Sequence, residues 1–169
     1  MTPVQGPDRE ERLNQMVLTY EKALLRLCAA YLRDIDLARD AVQETFLKAY
    51  RRMDRFKGNA SEKTWLMRIA INTCKDMLRG AWFRHVDHTA VLDELPLPVA
   101  PPSVEHIALT SAIMALPGKY REVILLHCDQ GMNIRETAQA LGITPPAVIN
   151  RLKKARKCLA AELEGGADE

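Results

Sequence analysis

A run of basic side chains near the C-terminus is the first feature of this sequence that could do chemistry. Between positions 150 and 157 lie one amide and five basic side chains: Asn150, Arg151, Lys153, Lys154, Arg156 and Lys157. Lysine and arginine neutralise phosphates, and asparagine and lysine can hydrogen-bond to base edges in the major groove of DNA. The same residues could form a solvated basic face on an ordinary helical hairpin, so the flanking segments have to decide.

The residues around this basic run have the order of a helix-turn-helix. Asn133 and Glu136 have capping-box spacing at the start of a short helix, with Asn in place of the usual Ser or Thr. Gly142 can end that helix, since glycine tolerates the left-handed conformation. Thr144 then caps the next helix, with Pro145 at its first position. Its buried stripe is Val148, Leu152, Ala155 and Leu159. The pattern therefore predicts a DNA-binding helix-turn-helix.

A second group of polar residues surrounds a predicted loop in the first half of the chain. The loop consists of Lys57, Gly58, Asn59, Ala60 and Ser61. The helix after it presents Arg68, Asn72, Lys75, Asp76 and Arg79 away from its apolar stripe. Basic and amide groups beside a flexible loop suit single-stranded DNA, whose bases can enter pockets. We interpret Trp65, at the start of this helix, as a core residue rather than a stacking platform.

The preceding helix is acidic at its start and basic at its end. The acids are Asp34, Asp36, Asp40 and Glu44, and the bases are Lys48, Arg51, Arg52, Arg55 and Lys57. We expect Asp36 to cap this helix. The acidic part suits a protein-docking face, but a solvated face explains it equally well.

Catalytic and metal-binding patterns do not stand out. The sequence has no nucleotide-binding glycine-rich loop and no paired catalytic carboxylates, so it suggests neither an enzyme nor a cofactor. The cysteines, at positions 28, 74, 128 and 158, form no CxxC motif and read as small apolar residues in a reducing compartment. His85 and His88 lack a cysteine or carboxylate to complete a metal set.

Helical periodicity positions these groups and predicts an all-α fold. Apolar stripes mark three helices between residues 13 and 77, and further helices follow from residue 107. Between them, residues 86–103 contain four prolines and three acids, which predicts an extended linker. We therefore expect two small helical domains, at 1–85 and 104–169, joined by a proline-rich linker, with the helix-turn-helix in the second.

The 169 residues carry a net charge of only +2, so charge distribution rather than total charge indicates nucleic acid. The sequence has no apolar run long enough to span a bilayer, and residues 1–12 do not resemble a signal peptide. We expect a cytoplasmic protein with no membrane insertion of this chain.

Three segments in order resemble the sigma factors of bacterial RNA polymerase. Residues 40–50 (DAVQETFLKAY) resemble their polymerase-binding helix, residues 64–72 (TWLMRIAIN) their promoter-melting helix, and residues 116–123 (LPGKYREV) the start of their C-terminal DNA-binding domain. The resemblance extends from about Leu13 to Leu163. With no other domain predicted, the chain resembles the extracytoplasmic-function group of the sigma-70 family.

This resemblance implies a role for each group of candidate residues. Polymerase binding is implied for Asp40, Gln43, Glu44, Phe46 and Tyr50. Recognition and melting of the promoter minus-ten element is implied for the loop 57–61 and for Arg68, Asn72, Lys75, Asp76 and Arg79. Contact with the minus-thirty-five element is implied for Thr144, Pro145, Ile149, Asn150, Arg151, Lys153 and Lys154. At position 149 the family usually has a basic residue, whereas this sequence has Ile149.

The implied partners are core RNA polymerase, promoter DNA as duplex and melted strand, and an anti-sigma factor. The linker is expected to thread through the polymerase near the template and RNA path. Two other functions remain open at this point. An ordinary helix-turn-helix regulator acting without polymerase leaves residues 40–50 unexplained, and a protein-binding adaptor leaves the basic helix unexplained.

Overall fold

The computed structural model describes residues 7–80 and 104–165, and side chains within 8–80 and 108–165. Within these ranges the fold is all-α, as the periodicity predicted. The predicted linker, residues 86–103, and the two histidines at 85 and 88 lie outside the described residues. The helices are α1 (Pro7–Leu32), α2 (Ile35–Arg52), α3 (Glu62–Arg79), α4 (Val104–Ala115), α5 (Gly118–Val123), α6 (Ile134–Leu141) and α7 (Pro145–Gly165).

Helices α1 to α3 form an N-terminal bundle around the predicted stripes. Leu24 and Leu27 of α1, Ala41 of α2, and Leu66 and Ala70 of α3 have no exposed surface. Burial of each leucine side chain contributes roughly 1.5–3 kcal/mol of transfer free energy. This packing fixes which face of α2 and which face of α3 remain available for contacts.

Side-chain caps define where α2 and α3 begin. The Asp34 carboxylate, rather than that of Asp36, caps α2 by accepting the Leu37 N–H at 3.0 Å. The prediction of Asp36 was wrong by one half-turn, because Ile35 and Leu37 are both buried and the helix therefore begins earlier. Ser61 caps α3 by accepting the Thr64 N–H at 3.1 Å. Ser61, the last residue of the predicted loop, is therefore also the N-cap of α3, which contains the segment that resembles a promoter-melting helix.

Helices α4 to α7 form a C-terminal bundle that contains the predicted helix-turn-helix, α6 and α7. Asn133 caps α6, since its side-chain oxygen accepts the Glu136 N–H at 2.8 Å. Thr144 accepts the Ala147 N–H at 3.3 Å at the start of α7. Gly142 ends α6 with φ of +67°. Before α6, α5 continues into a π-helical segment, Ile124–Asp129.

The two bundles share apolar core. Met114, Leu125, Leu126, Met132 and Ala140 of the C-terminal bundle pack in the same buried cluster as α1, α2 and α3. A separate smaller cluster, including Val123, Val148 and Leu152, holds the C-terminal bundle together internally. The sequence predicted two helical units but gave no sign that they close on each other.

Gly142 supplies a test of the turn in the helix-turn-helix. A Cβ at this position would have room, with the nearest atom 3.8 Å away, so the cost of Gly142→Ala arises from the backbone alone. Since an L-residue in the left-handed region costs about 1–2 kcal/mol, we expect the free energy of unfolding in urea to fall by about that amount. Gly165→Ala is the control, because Gly165 has no positive φ and is open to solvent. An unchanged urea midpoint for Gly142→Ala would contradict the assigned turn.

Candidate nucleic-acid and polymerase interfaces

The second helix of the helix-turn-helix, α7, presents a polar face to solvent. Val148, Leu152 and Ala155 are buried, and this fixes the rotation of the helix. Asn150, Lys153 and Lys154 are exposed on the other side, as the sequence predicted. Positions 150, 153, 154 and 157 follow helical spacing and lie on one face. An α-helix with such a polar face fits the width of a major groove.

Two predicted residues of α7 behave differently from this basic face. Ile149 is 44 % exposed and offers only apolar surface, so it can contact a thymine methyl group but can neither accept nor donate a hydrogen bond. Arg151 is half-buried, and its Nη1 lies 3.2 Å from Oε1 of Glu122. Thr144 and Pro145 are exposed at the start of the helix.

The predicted loop and the outer face of α3 form a second polar surface. Lys57, Gly58 and Asn59 are exposed, Ala60 is partly buried, and Gly58 has φ of +76°. The further α3 residues of the prediction divide into two sets. Asn72, Asp76 and Arg79 face solvent, with Arg79 and Asp76 3.7 Å apart, while Arg68 and Lys75 contact the C-terminal bundle.

A cleft of about 560 Å³ lies between this loop and the helix-turn-helix. Four basic side chains line the cleft: Arg55, Lys57 and Arg68 from the N-terminal bundle and Arg135 from the C-terminal bundle. None of the lining residues is acidic. Trp65 also lines the cleft, although it packs partly against the core, with its ring centroid 4.9 Å from that of Phe56. The cleft is suited to an anionic, planar group.

The outer face of α2 combines acidic, amide and apolar groups. Asp40 and Gln43 are exposed and Glu44 is partly exposed, as a docking face requires. Phe46 is in the core at 8 % exposure, so the structure does not bring this predicted anchor to the surface. The sequence analysis missed Leu47, which is 50 % exposed and four residues after Gln43 on the same face.

Tyr50 lies at the other end of the α2 face. It is partly buried, and the Arg9 guanidinium lies 4.6 Å from the centre of its ring. The Arg9 side chain also donates to the Tyr50 carbonyl oxygen. The N-terminal part of α1 therefore covers one side of this predicted polymerase-binding residue.

Glu122 is a functional candidate that the sequence analysis did not single out. Its carboxylate is 3 % exposed and lies 3.3 Å from Lys75 Nζ and 3.2 Å from Arg151 Nη1. The Tyr31 hydroxyl donates to it at 3.3 Å. Burial, reinforced by the charge of Glu122, raises the pKa of Tyr31 well above its ordinary value, so this phenol stays protonated. A charged pair, Arg121 and Glu122, directly before an apolar run was the available sequence signal.

Arg121 ties the same region to α1. Its guanidinium donates to the Tyr31 carbonyl oxygen at 2.6 Å and to the Leu116 carbonyl oxygen at 2.7 Å. Burial lowers the pKa of Arg121, and the nearby Arg33 lowers it further. The contact between bundles therefore contains two adjacent, oppositely charged residues of α5.

Among the described side chains, no group of three or more His, Cys, Asp or Glu could hold a metal ion. No helix in the described part of the chain is long and apolar enough to cross a membrane.

Comparison with known proteins assigns the two bundles to two family domains. Sigma-70 region 2 matches residues 16–84, and sigma-70 region 4 matches residues 106–159. The ECF RNA polymerase sigma factor SigM of Mycobacterium tuberculosis is 33 % identical over 150 residues, covering 87 % of this chain and 74 % of the relative. The chain belongs to the ECF sigma factors of the sigma-70 family. Its function is that of an RNA polymerase sigma factor, which initiates transcription.

Other sigma factors align over similar lengths. The RNA polymerase sigma-H factor of Pseudomonas aeruginosa is 30 % identical over 165 residues, covering 88 % of this sigma factor and 84 % of the relative. The structure of CnrH in complex with the cytosolic domain of CnrY superposes with a TM-score of 0.71 at 26 % identity, covering 92 % and 90 % of the two chains. The sigma factor RpoE of Bartonella quintana, in complex with the anti-sigma factor NepR, shares the fold with a TM-score of 0.73 at 24 % identity, covering 91 % and 98 %.

Proposed function

We propose that this sigma factor binds core RNA polymerase through α2, captures the minus-ten element with the 57–61 loop and α3, and reads the minus-thirty-five element with α7. The observation that carries the proposal is the placement of three polar faces. Two lie on helices that contain resembling segments, α2 with residues 40–50 and α3 with residues 64–72, and the third lies on α7 of the helix-turn-helix. The α3 and α7 faces carry exposed cations. The family function needs these three contacts on one chain.

The α2 face supports polymerase docking by its mixture of groups. Asp40, Gln43 and Glu44 provide acceptors for basic partner residues, and charge-assisted hydrogen bonds are the stronger ones. Leu47, in the middle of this face, provides an apolar anchor of the kind that carries binding energy in protein interfaces. The buried Phe46 supports this surface from beneath.

The α3 and α7 faces support promoter binding in two forms of DNA. The 57–61 loop and the partly buried Trp65 suit an extruded base and its phosphate. The helix α7, capped by Thr144, suits a duplex major groove. We take residues 86–103 to be the linker that connects these two elements and threads through the polymerase.

Two further features complete the proposal. An anti-sigma factor is a partner, since solved relatives include a sigma factor in complex with one. The chain acts in the cytoplasm, where the polymerase is, and it supplies no catalysis of its own because the chemistry of RNA synthesis belongs to the core enzyme.

A run-off transcription assay with purified core polymerase tests the proposal as a whole. We expect promoter-dependent transcripts when core and this chain are combined, and none from either alone. Duplex binding without transcripts would instead indicate a helix-turn-helix regulator that acts without polymerase. Binding to neither core nor DNA would contradict both functions.

The α2 face generates a prediction about core binding. Gln43→Ala combined with Glu44→Lys removes one hydrogen-bonding group and reverses one charge. Since a hydrogen bond to a charged group contributes about 1.5–3 kcal/mol, we expect core affinity to fall at least about tenfold in a titration of labelled protein. Glu162→Lys is the matched charge-reversal control, because Glu162 is exposed at the far end of α7. Equal affinities for the two variants would remove α2 from the interface.

The loop generates a prediction about base preference. Exchange of residues 57–60 for those of a related sigma factor should change the preferred minus-ten bases, because pocket contacts must offset the few kcal/mol that base flipping costs. Ser61 is kept, since it caps α3 and its loss would destabilise the helix. Open-complex footprints on a set of minus-ten variants measure the effect. An unaltered preference would mean that the loop is a connector.

The recognition helix generates a prediction that separates base reading from phosphate binding. Asn150→Ala should relax preference at one or two base pairs, each contact contributing about 1–3 kcal/mol. Arg151→Ala should weaken binding to all minus-thirty-five sequences alike and flatten the salt dependence. Duplex titrations with a promoter library at two salt concentrations distinguish them. A uniform loss with Asn150→Ala would show that this side chain reads no base.

A further inference from the structure

Three cations along α3 donate to the C-terminal bundle. Lys63 Nζ lies 2.6 Å from the carbonyl oxygen of Gln130, and Arg68 Nη1 lies 3.3 Å from that of Gln139. Lys75 Nζ lies 3.3 Å from the carboxylate of Glu122. Each basic side chain in this row therefore donates to an oxygen acceptor in the C-terminal bundle.

The acceptors are oxygen atoms, as in a nucleic-acid backbone, and one of the three is anionic. Residues 63 to 75 span about 18 Å at the helical rise of 1.5 Å per residue. That is the length of about five nucleotides at 3.4 Å per nucleotide in one strand. Two carbonyl oxygens and one carboxylate along this distance therefore accept from the same cations that the phosphate oxygens of a strand would contact.

Glu122 connects this row to the second DNA-binding surface. Its carboxylate accepts from Lys75 of α3 and Arg151 of α7 together, and those side chains are 32 % and 29 % exposed. Under the proposed function, Lys75 binds the minus-ten strand and Arg151 binds a phosphate near the minus-thirty-five element. One buried acid thus occupies a cation from each DNA interface.

We propose that the C-terminal bundle is an internal competitor for promoter DNA, and that Glu122 is the latch that holds the chain closed. In the closed form the Glu122 carboxylate pairs with Lys75 and Arg151, while the carbonyl oxygens of Gln130 and Gln139 accept from Lys63 and Arg68. Binding of promoter strand to α3 requires these bonds to break, so DNA selects the open form. The latch assignment rests on the geometry, whereas its effect on DNA rests on the proposed function.

Closure also covers part of the surface physically. Gly142, in the turn before α7, faces Arg68, since a Cβ there would lie 3.8 Å from its Nη2. Asn72 and Asp76 stay exposed on the neighbouring face of α3. The C-terminal bundle therefore occupies the cations of this row, which stay partly accessible, and leaves Asn72 and Asp76 of α3 exposed. If only a fraction of molecules is open, the apparent affinity for DNA is reduced by that fraction.

Small-angle X-ray scattering of the full chain tests the latch without DNA or polymerase. Wild type should have a radius of gyration close to the value of about 15 Å for a compact chain of this length. Glu122→Gln keeps the shape of the side chain but removes its charge, and it should expand the molecule measurably. Lys75→Gln should do the same from the other side of the contact. Glu162→Gln, an exposed acid in the same bundle, should leave the radius unchanged.

Circular dichroism of each variant separates opening from unfolding. If Glu122→Gln loses helix content, Lys75→Gln decides, because it leaves the C-terminal bundle unaltered. Compact scattering from a folded Lys75→Gln, with Glu122→Gln compact or unfolded, would overturn the latch. Expansion of the folded variants, with full helix content, supports it.

A DNA titration then tests competition separately. With a single-stranded minus-ten oligonucleotide, Glu122→Gln should bind at least about threefold more tightly than wild type, while Glu162→Gln should match wild type. Expansion without tighter binding would overturn the competition and keep the latch. Expansion with no binding by any variant would sink the proposed function of α3 and leave the latch standing.

Discussion

The carboxylate of Glu122 is buried between two helical bundles, and a buried charge has to be neutralised. Removal of such a group from water costs several kcal/mol, which is offset only when charged or hydrogen-bonding partners are held in good geometry. Lys75, Arg151 and Tyr31 provide those partners from three different helices. The relative placement of α1, α3, α5 and α7 therefore has to satisfy the charge of this one side chain as well as the apolar packing between the bundles.

Apolar contacts and polar contacts contribute differently to closure. Leu125, Leu126 and Met132 share the core of the N-terminal bundle, and their burial supplies an attraction that has little directionality. The hydrogen bonds of Arg121 to the carbonyl oxygens of Tyr31 and Leu116 fix the register of that contact. An open sigma factor must give up both. The equilibrium between closed and open forms therefore balances these contacts against the hydration and freedom of movement regained on opening, and a single change of charge can shift it.

Much of the fold could be predicted, because its determinants are local. The periodicity placed the stripes, and Asn133, Gly142 and Thr144 marked the turn of the helix-turn-helix correctly. The start of α2 was assigned to the wrong aspartate, since two acids compete there. Contacts between bundles could not be predicted, because Tyr31 and Glu122 are 91 residues apart and no local pattern links them. Leu47 escaped notice because the resemblance implied Phe46 as the apolar anchor, although the phase of the α2 stripe buries Phe46.

Ionic strength acts on this molecule in two opposed ways. Salt weakens DNA binding, because the release of counterions from neutralised phosphates gains less entropy when the surrounding solution is already rich in ions. It also screens the half-exposed pairs between bundles, including Arg26 with Asp129 at 2.5 Å, and so favours the open form. The logarithm of the observed DNA affinity then falls less steeply with the logarithm of salt concentration than the number of phosphate contacts alone requires. A count of contacts taken from that slope underestimates the cations that touch the promoter.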